Sequence, residues 1–203
     1  LAALMMLAAL VAKTVGISAG KPSIDGAGEI LLSGALALAI VALNTFRPRR
    51  QLPRRRVRIF TSPLQLHIVT AYLWLATTAV FALSRGISMI GFDVWNVPSD
   101  AERHALGAGF VTLLILGVGS EMLPGLARER SRRPGLHWAT LILANAAALS
   151  RVVPLLFPTL NGQLAPAIMS GAGLLGALAI GIFVANSPIR FRVKDLDEGS
   201  LIF

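Results

Sequence analysis

Six apolar runs separated by short polar segments leave this chain few folds to choose from. They fall at about 1–16, 27–46, 63–84, 101–123, 136–157 and 162–185. All but the first reach the ~20 residues that carry a helix across a hydrocarbon core. The runs are continuously apolar rather than alternating, which predicts helices instead of barrel strands. Composition agrees: 55% of the 203 residues are hydrophobic and 14% charged, with a mean hydropathy of +0.70, unlike an ordinary soluble domain. The predicted fold class is all-α, a polytopic transmembrane helix bundle of about six spans. Residues 1–186 form the bundle, and residues 187–203 form a cytoplasmic C-terminal tail. No internal repeat divides the chain.

The net charge of +9 is concentrated between spans. Arg47, Arg49, Arg50, Arg54, Arg55, Arg56 and Arg58 separate spans two and three; Arg128, Arg130, Arg132 and Arg133 separate four and five; Arg190, Arg192 and Lys194 follow span six. The alternate loops hold little beyond Lys21, Asp25, Arg85 and Asp93. The positive-inside rule then places the basic segments and both termini in the cytoplasm. Attraction to acidic lipids is compatible with the same side. Nucleic acid is not expected, because the basic residues lack an aromatic-studded soluble surface. The chain has no cysteine, hence no disulfide framework, thiolate metal site or cysteine nucleophile within these residues. It opens on Leu1 inside an apolar run with Lys13 after it, which points to a fragment more than to a signal peptide.

Residues 103–124, RHALGAGFVTLLILGVGSEMLP, combine a membrane-spanning run with ionisable groups at its ends. Such groups are costly at depth and therefore informative. A helical rise of ~1.5 Å per residue separates His104 from Glu121 by roughly 25 Å, so they belong to opposite sides. His104, Arg151, Arg85 and Arg103 fall toward the outer surface, whereas His67, Glu121 and His137 fall toward the inner ends of their spans.

His104 reads as an axial ligand to haem or a ligand to copper, or else as an interfacial histidine with a water or backbone partner. Gly107, one turn on, leaves room for a flat ligand beside it. Arg151 reads as a haem-propionate partner or as a snorkelling headgroup contact. His67 and His137 are expected to be solvated at headgroup level, and Glu121 to neutralise an arginine of the adjacent loop. Trp95 and Trp138 are the best headgroup markers, with Trp74 and Tyr72 behind them. Ala105 with Gly109, and Gly173, Ala177 and Gly181, are small-residue stripes expected to pack inside the bundle. Pro154 and Pro158 predict a kink or an early exit from span five. No phosphate loop, zinc-protease signature or nucleophile elbow is present.

The His-Ala-Leu at 104–106, Gly107 and the later Gly-x-Gly-x-x-x-Leu-Pro resemble the NnrS family of membrane proteins. Ala71-Tyr72-Leu73-Trp74-Leu75 and Leu149-Ser150-Arg151-Val152-Val153 continue the resemblance. It implies a polytopic protein of the bacterial inner membrane, associated with haem and copper and with nitric oxide handling or electron transfer. His104 would be the metal-linked histidine, Arg151 its accompanying arginine, and Arg103 a further cofactor contact. The sequence departs from the family pattern at Glu121, where an arginine is usual, and at Gly125-Leu126, where a Gly-His pair is common. Three histidines split between two faces do not build a dinuclear oxidase centre, so catalytic reduction by this segment alone is not expected. Two other readings stay open: a structural or assembly subunit of a larger membrane complex, and a transporter using Asn145 and Ser150 near the midplane.

Overall fold

A computed structural model describes residues 1–43, 62–127, 133, 135–157 and 164–187. The basic residues 47–58, 128, 130, 132 and 190–194, Pro158 and the tail beyond Ser187 lie outside them. The described elements are α1 (Ala2–Ser18), α2 (Pro22–Ala42), α3 (Pro63–Ile90), α4 (Ser99–His104), a π-helical segment (Ala105–Val111), α5 (Thr112–Ala127), α6 (Leu136–Leu156) and α7 (Leu164–Asn186). α4, the π segment and α5 run on as one span. Among the described residues five helices are long and apolar enough to cross a membrane, and α1, with 17 residues, is shorter. The chain is an all-α, multi-pass membrane protein.

Local chemistry sets the helix ends. Proline stands in the first turn of both α2 and α3, where no intrahelical N–H is required. α3 ends at Gly91, whose φ of 107° is left-handed and open to glycine at little cost. Gly91 N–H donates to the Ser88 carbonyl at 3.1 Å, and Phe92 N–H to that of Ile87 at 3.4 Å. α2 begins five residues before the apolar run that predicts it, because Pro22 fixes its first turn directly after the tight link at Ala19, Gly20 and Lys21.

α3 is the centre of the bundle. The α1–α2 hairpin packs against one side of it, with α2 in contact. The π segment and α5 cover another, α6 packs on α3, α4, α5 and the π segment, and α7 rests mainly on α6. Gly26 of α2 and Gly86 of α3 face each other so closely that a Cβ on Gly26 would lie 2.8 Å from the Gly86 carbonyl oxygen. One buried cluster joins Ala71, Leu113, Leu116, Leu141, Ala144 and Ala179; another joins Phe81, Val97, Ala101, Ala105 and Val152.

Several sequence expectations change on packing. Gly173, Ala177 and Gly181 face outward, and α7 instead buries Ala165, Ala172 and Ala179. Small residues permit close contact without demanding it. Ala105 and Gly109 are buried as expected. Asp25 and Arg85 are not loop residues: Asp25 is buried in the first turn of α2, and Arg85 lies within α3. Tyr72 and Trp74 belong to the bundle, Tyr72 edge-on to Phe110 at 5.8 Å and Trp74 donating to Asn145 Oδ1 at 3.2 Å. Trp95 and Trp138 keep exposed faces. Pro154 is buried within α6, which ends two residues later at Leu156.

Candidate functional site at the His104 end

At the end of the bundle where α1 turns into α2, polar side chains converge from four helices. Glu29 of α2 is 0% exposed. Its Oε1 accepts from Lys13 Nζ of α1 at 2.7 Å and forms an ion pair with Arg85 Nη1 of α3 at 2.9 Å. Arg85 Nη1 also reaches Glu102 Oε2 of α4 at 3.5 Å. The four charges form two alternating pairs, which is what makes burial tolerable: an ionised carboxylate taken out of water is costly unless paired and hydrogen-bonded. Asp25, one turn before Glu29 on α2, is also buried, and among the described residues its Oδ1 and Glu29 Oε2 have no hydrogen-bond partner.

The tight hairpin makes this convergence possible. A Cβ on Gly16 would lie 2.3 Å from the Asp25 nitrogen, and one on Gly28 2.6 Å from Lys13 Cγ. α1 and α2 therefore approach almost backbone to backbone, bringing Lys13 level with Glu29. Lys13, Glu29 and Glu102 are not among the site residues to which the sequence points. The available signal was Glu29 itself, an acid within an otherwise uncharged apolar run.

His104 closes α4 and opens the π segment, and it is half-buried. Single widened turns of this kind often mark functional positions. Thr112 donates its hydroxyl to the Gly107 carbonyl at 2.9 Å across this segment. Gly109 lets the Trp74 indole lie against the backbone: a Cβ there would stand 2.5 Å from Trp74 Cγ. Gly107 has open space where its Cβ would be, as the sequence expects.

Arg151 of α6 is half-buried, with Nη2 3.7 Å from the position of a Gly173 Cβ. His104 and Arg151 each immediately precede a member of one buried cluster, Ala105 and Val152, so their helices are packed together at this level. Among the described residues neither side chain has a hydrogen-bond or ion-pair partner. Arg103 stands apart: its guanidinium is 77% exposed and reaches Asp100 Oδ1 at 3.4 Å.

A family model described as NnrS protein matches residues 1–188. The chain belongs to the NnrS family. No curated protein and no solved structure matches it significantly.

The other end of this NnrS protein differs in character. His67, expected to be solvated, is 0% exposed on α3. Its Nδ1 is 2.7 Å from the Pro63 carbonyl, which accepts from Nδ1–H and leaves Nε2 as the acceptor nitrogen. Nε2 has no partner. α5 makes room for the ring at Gly117, where a Cβ would lie 2.7 Å from His67 Cβ. His137 is half-buried at the start of α6, and Glu121 is exposed at the rim of an opening of about 490 Å³. The arginines expected to neutralise Glu121 lie outside the described residues. No group of three or more His, Cys, Asp or Glu able to hold a metal ion forms among the described residues.

Proposed function

We propose that this member of the NnrS family is a haem-binding protein of the bacterial inner membrane, acting in nitric oxide handling or electron transfer. Its basic segments and both termini face the cytoplasm, and the His104 end faces outward. The observation that carries this reading is a half-buried arginine and a half-buried histidine, both unpaired among the described residues, at one level of packed helices. A half-buried guanidinium offers a planar fork that matches a propionate carboxylate. An imidazole needs only one free nitrogen to serve as an axial ligand. In this reading His104 is the haem ligand and Arg151 the propionate partner. Copper fits less well, since it calls for several ligands that the described residues do not gather. Arg103 would join only by giving up Asp100.

Haem, when bound, supplies an iron that takes nitric oxide or an electron. The chain's own contribution is orientation and charge. The π segment and Gly107 leave the His104 face open, the Arg151 guanidinium supplies a positive charge for an anion, and the Lys13–Glu29–Arg85–Glu102 network ties α4, which ends at His104, to α1, α2 and α3. The test is haem content of the purified, haem-supplied chain. Wild type should carry haem, and Arg151→Ala should bind it about tenfold or more weakly, the range expected for one charge-assisted hydrogen bond. A wild-type chain that folds but takes up no haem would overturn the reading.

A second reading, an assembly subunit, has its own observation. Only 11% of the apolar window of α7 is buried, against 39% for α6, and Leu174, Leu178, Ile180 and Val184 face outward. Co-purification of a stoichiometric partner without cofactor would favour it.

A further inference from the structure

Polar atoms without partners collect at the His67 end, where the haem reading uses none of them. His67 Nε2 and Gln65 Oε1 on α3, Ser120 Oγ on α5 and Asn186 Nδ2 on α7 are all buried and have no partner among the described residues. Each such group, left dry, costs roughly 1–3 kcal/mol, so each calls for a partner such as water; Ser120 and Asn186 line one small space, whereas Gln65, two residues from His67, projects from another face of α3. Space lies beside them. The opening of about 490 Å³ runs between the start of α3, the end of α5 and the start of α6, with Pro63, Leu64, Ser120, Glu121 and His137 in its wall. A second space of about 10 Å³ adjoins it, sharing Ser120 and His137 and reaching Asn186. That is about the volume one water molecule requires, and Ser120 Oγ and Asn186 Nδ2 offer it an acceptor and a donor.

Depth follows from helix periodicity. Pro63 and Leu64 line the opening, and His67 lies one turn further into the bundle on α3. Ser120 lines both spaces, and Gly117, one turn further in on α5, touches His67. The Nδ1–H bond to Pro63 directs the lone pair of His67 to Nε2.

We propose that the ends of α3, α5, α6 and α7 enclose a water-filled vestibule, entered beside Glu121 and His137, whose innermost proton acceptor is His67. Water is its ligand. A proton entering passes from hydrated proton to water to Nε2, where an N–H bond forms and a water O–H bond breaks. The ring keeps Nδ1–H on Pro63 throughout, and the proton leaves by the same route. The groups facing this space are Glu121 from α5 and His137 from α6, with Asn186 from α7 and Ser120 neutral. The vestibule does not depend on haem at the other end.

Absence of native cysteine within the chain makes accessibility labelling clean. Ser120→Cys, nearly isosteric, and Ile115→Cys, on the outward apolar face of α5, are compared in membrane vesicles opened to both sides, using a charged methanethiosulfonate. The thiolate is the reacting form and needs water. Ser120→Cys should react at least about a hundredfold faster than Ile115→Cys, since a thiol in apolar surroundings stays protonated. Equal, slow labelling of both would overturn the proposal. A second measurement uses the unaltered chain: hydrogen–deuterium exchange at the imidazole C2 position, read by mass spectrometry. His67 exchanging within the time range of His104 supports the vestibule, and a His67 that retains hydrogen while His104 exchanges contradicts it.

Discussion

At the scale of single residues, Glu29 bears the most. It is fully buried, yet Lys13 and Arg85 both reach one of its oxygens. Glu29→Ala leaves Lys13 without an anion and Arg85 with only Glu102, at 3.5 Å. Removing one partner of a buried pair costs about 3–5 kcal/mol, which should appear as a clear fall in thermal midpoint in detergent. Lys13→Met should cost less, because Arg85 still holds Glu29 and the lysine is partly exposed. Equal losses would mean that the two cations are not redundant. The sequence makes His104 and Arg151 visible as candidates because ionisable residues in apolar runs stand out. Glu29 obeys the same rule, but its role is not legible in the sequence because its partners Lys13 and Arg85 lie on other helices. His67 was misread for the converse reason: a histidine near a span end reads as solvated unless the facing residue, here Gly117, is known to admit it.

At the scale of elements, the apolar runs locate the helices to within a few residues, with α2 and α3 set by Pro22, Pro63 and Gly91. The π segment was not legible. Its sequence, ALGAGFV, is compatible with an ordinary α-helix, and the widened turn goes with tertiary contact, notably Trp74 against Gly109. Gly109→Ala drives a methyl into the indole and should cost about 1–3 kcal/mol, the usual range for overpacking. Gly107→Ala meets nothing within 4 Å and should leave stability unchanged or raise it by up to about 1 kcal/mol. Unfolding of both variants beside wild type checks the pair, and comparable destabilisation would contradict the packing described.

At the scale of the whole molecule, hydropathy was enough to read a polytopic bundle, and the family match over residues 1–188 agrees with the resemblance seen in residues 104–124. Which faces meet was not readable. Gly173, Ala177 and Gly181 look like a packing seam yet turn outward, because lipid and helix accept small residues alike. The two ends of the bundle carry different chemistry: paired charges with His104 and Arg151 at one, unpartnered neutral polar groups around His67 at the other. The central claim is that the first of these is the cofactor end. The deciding measurement is the dithionite-reduced minus oxidised absorption spectrum of wild type, His104→Ala and His67→Ala, each haem-supplied and monodisperse on size exclusion. The account expects sharp haem bands in wild type and His67→Ala, and their loss in His104→Ala. Bands that survive in His104→Ala and vanish in His67→Ala would contradict it.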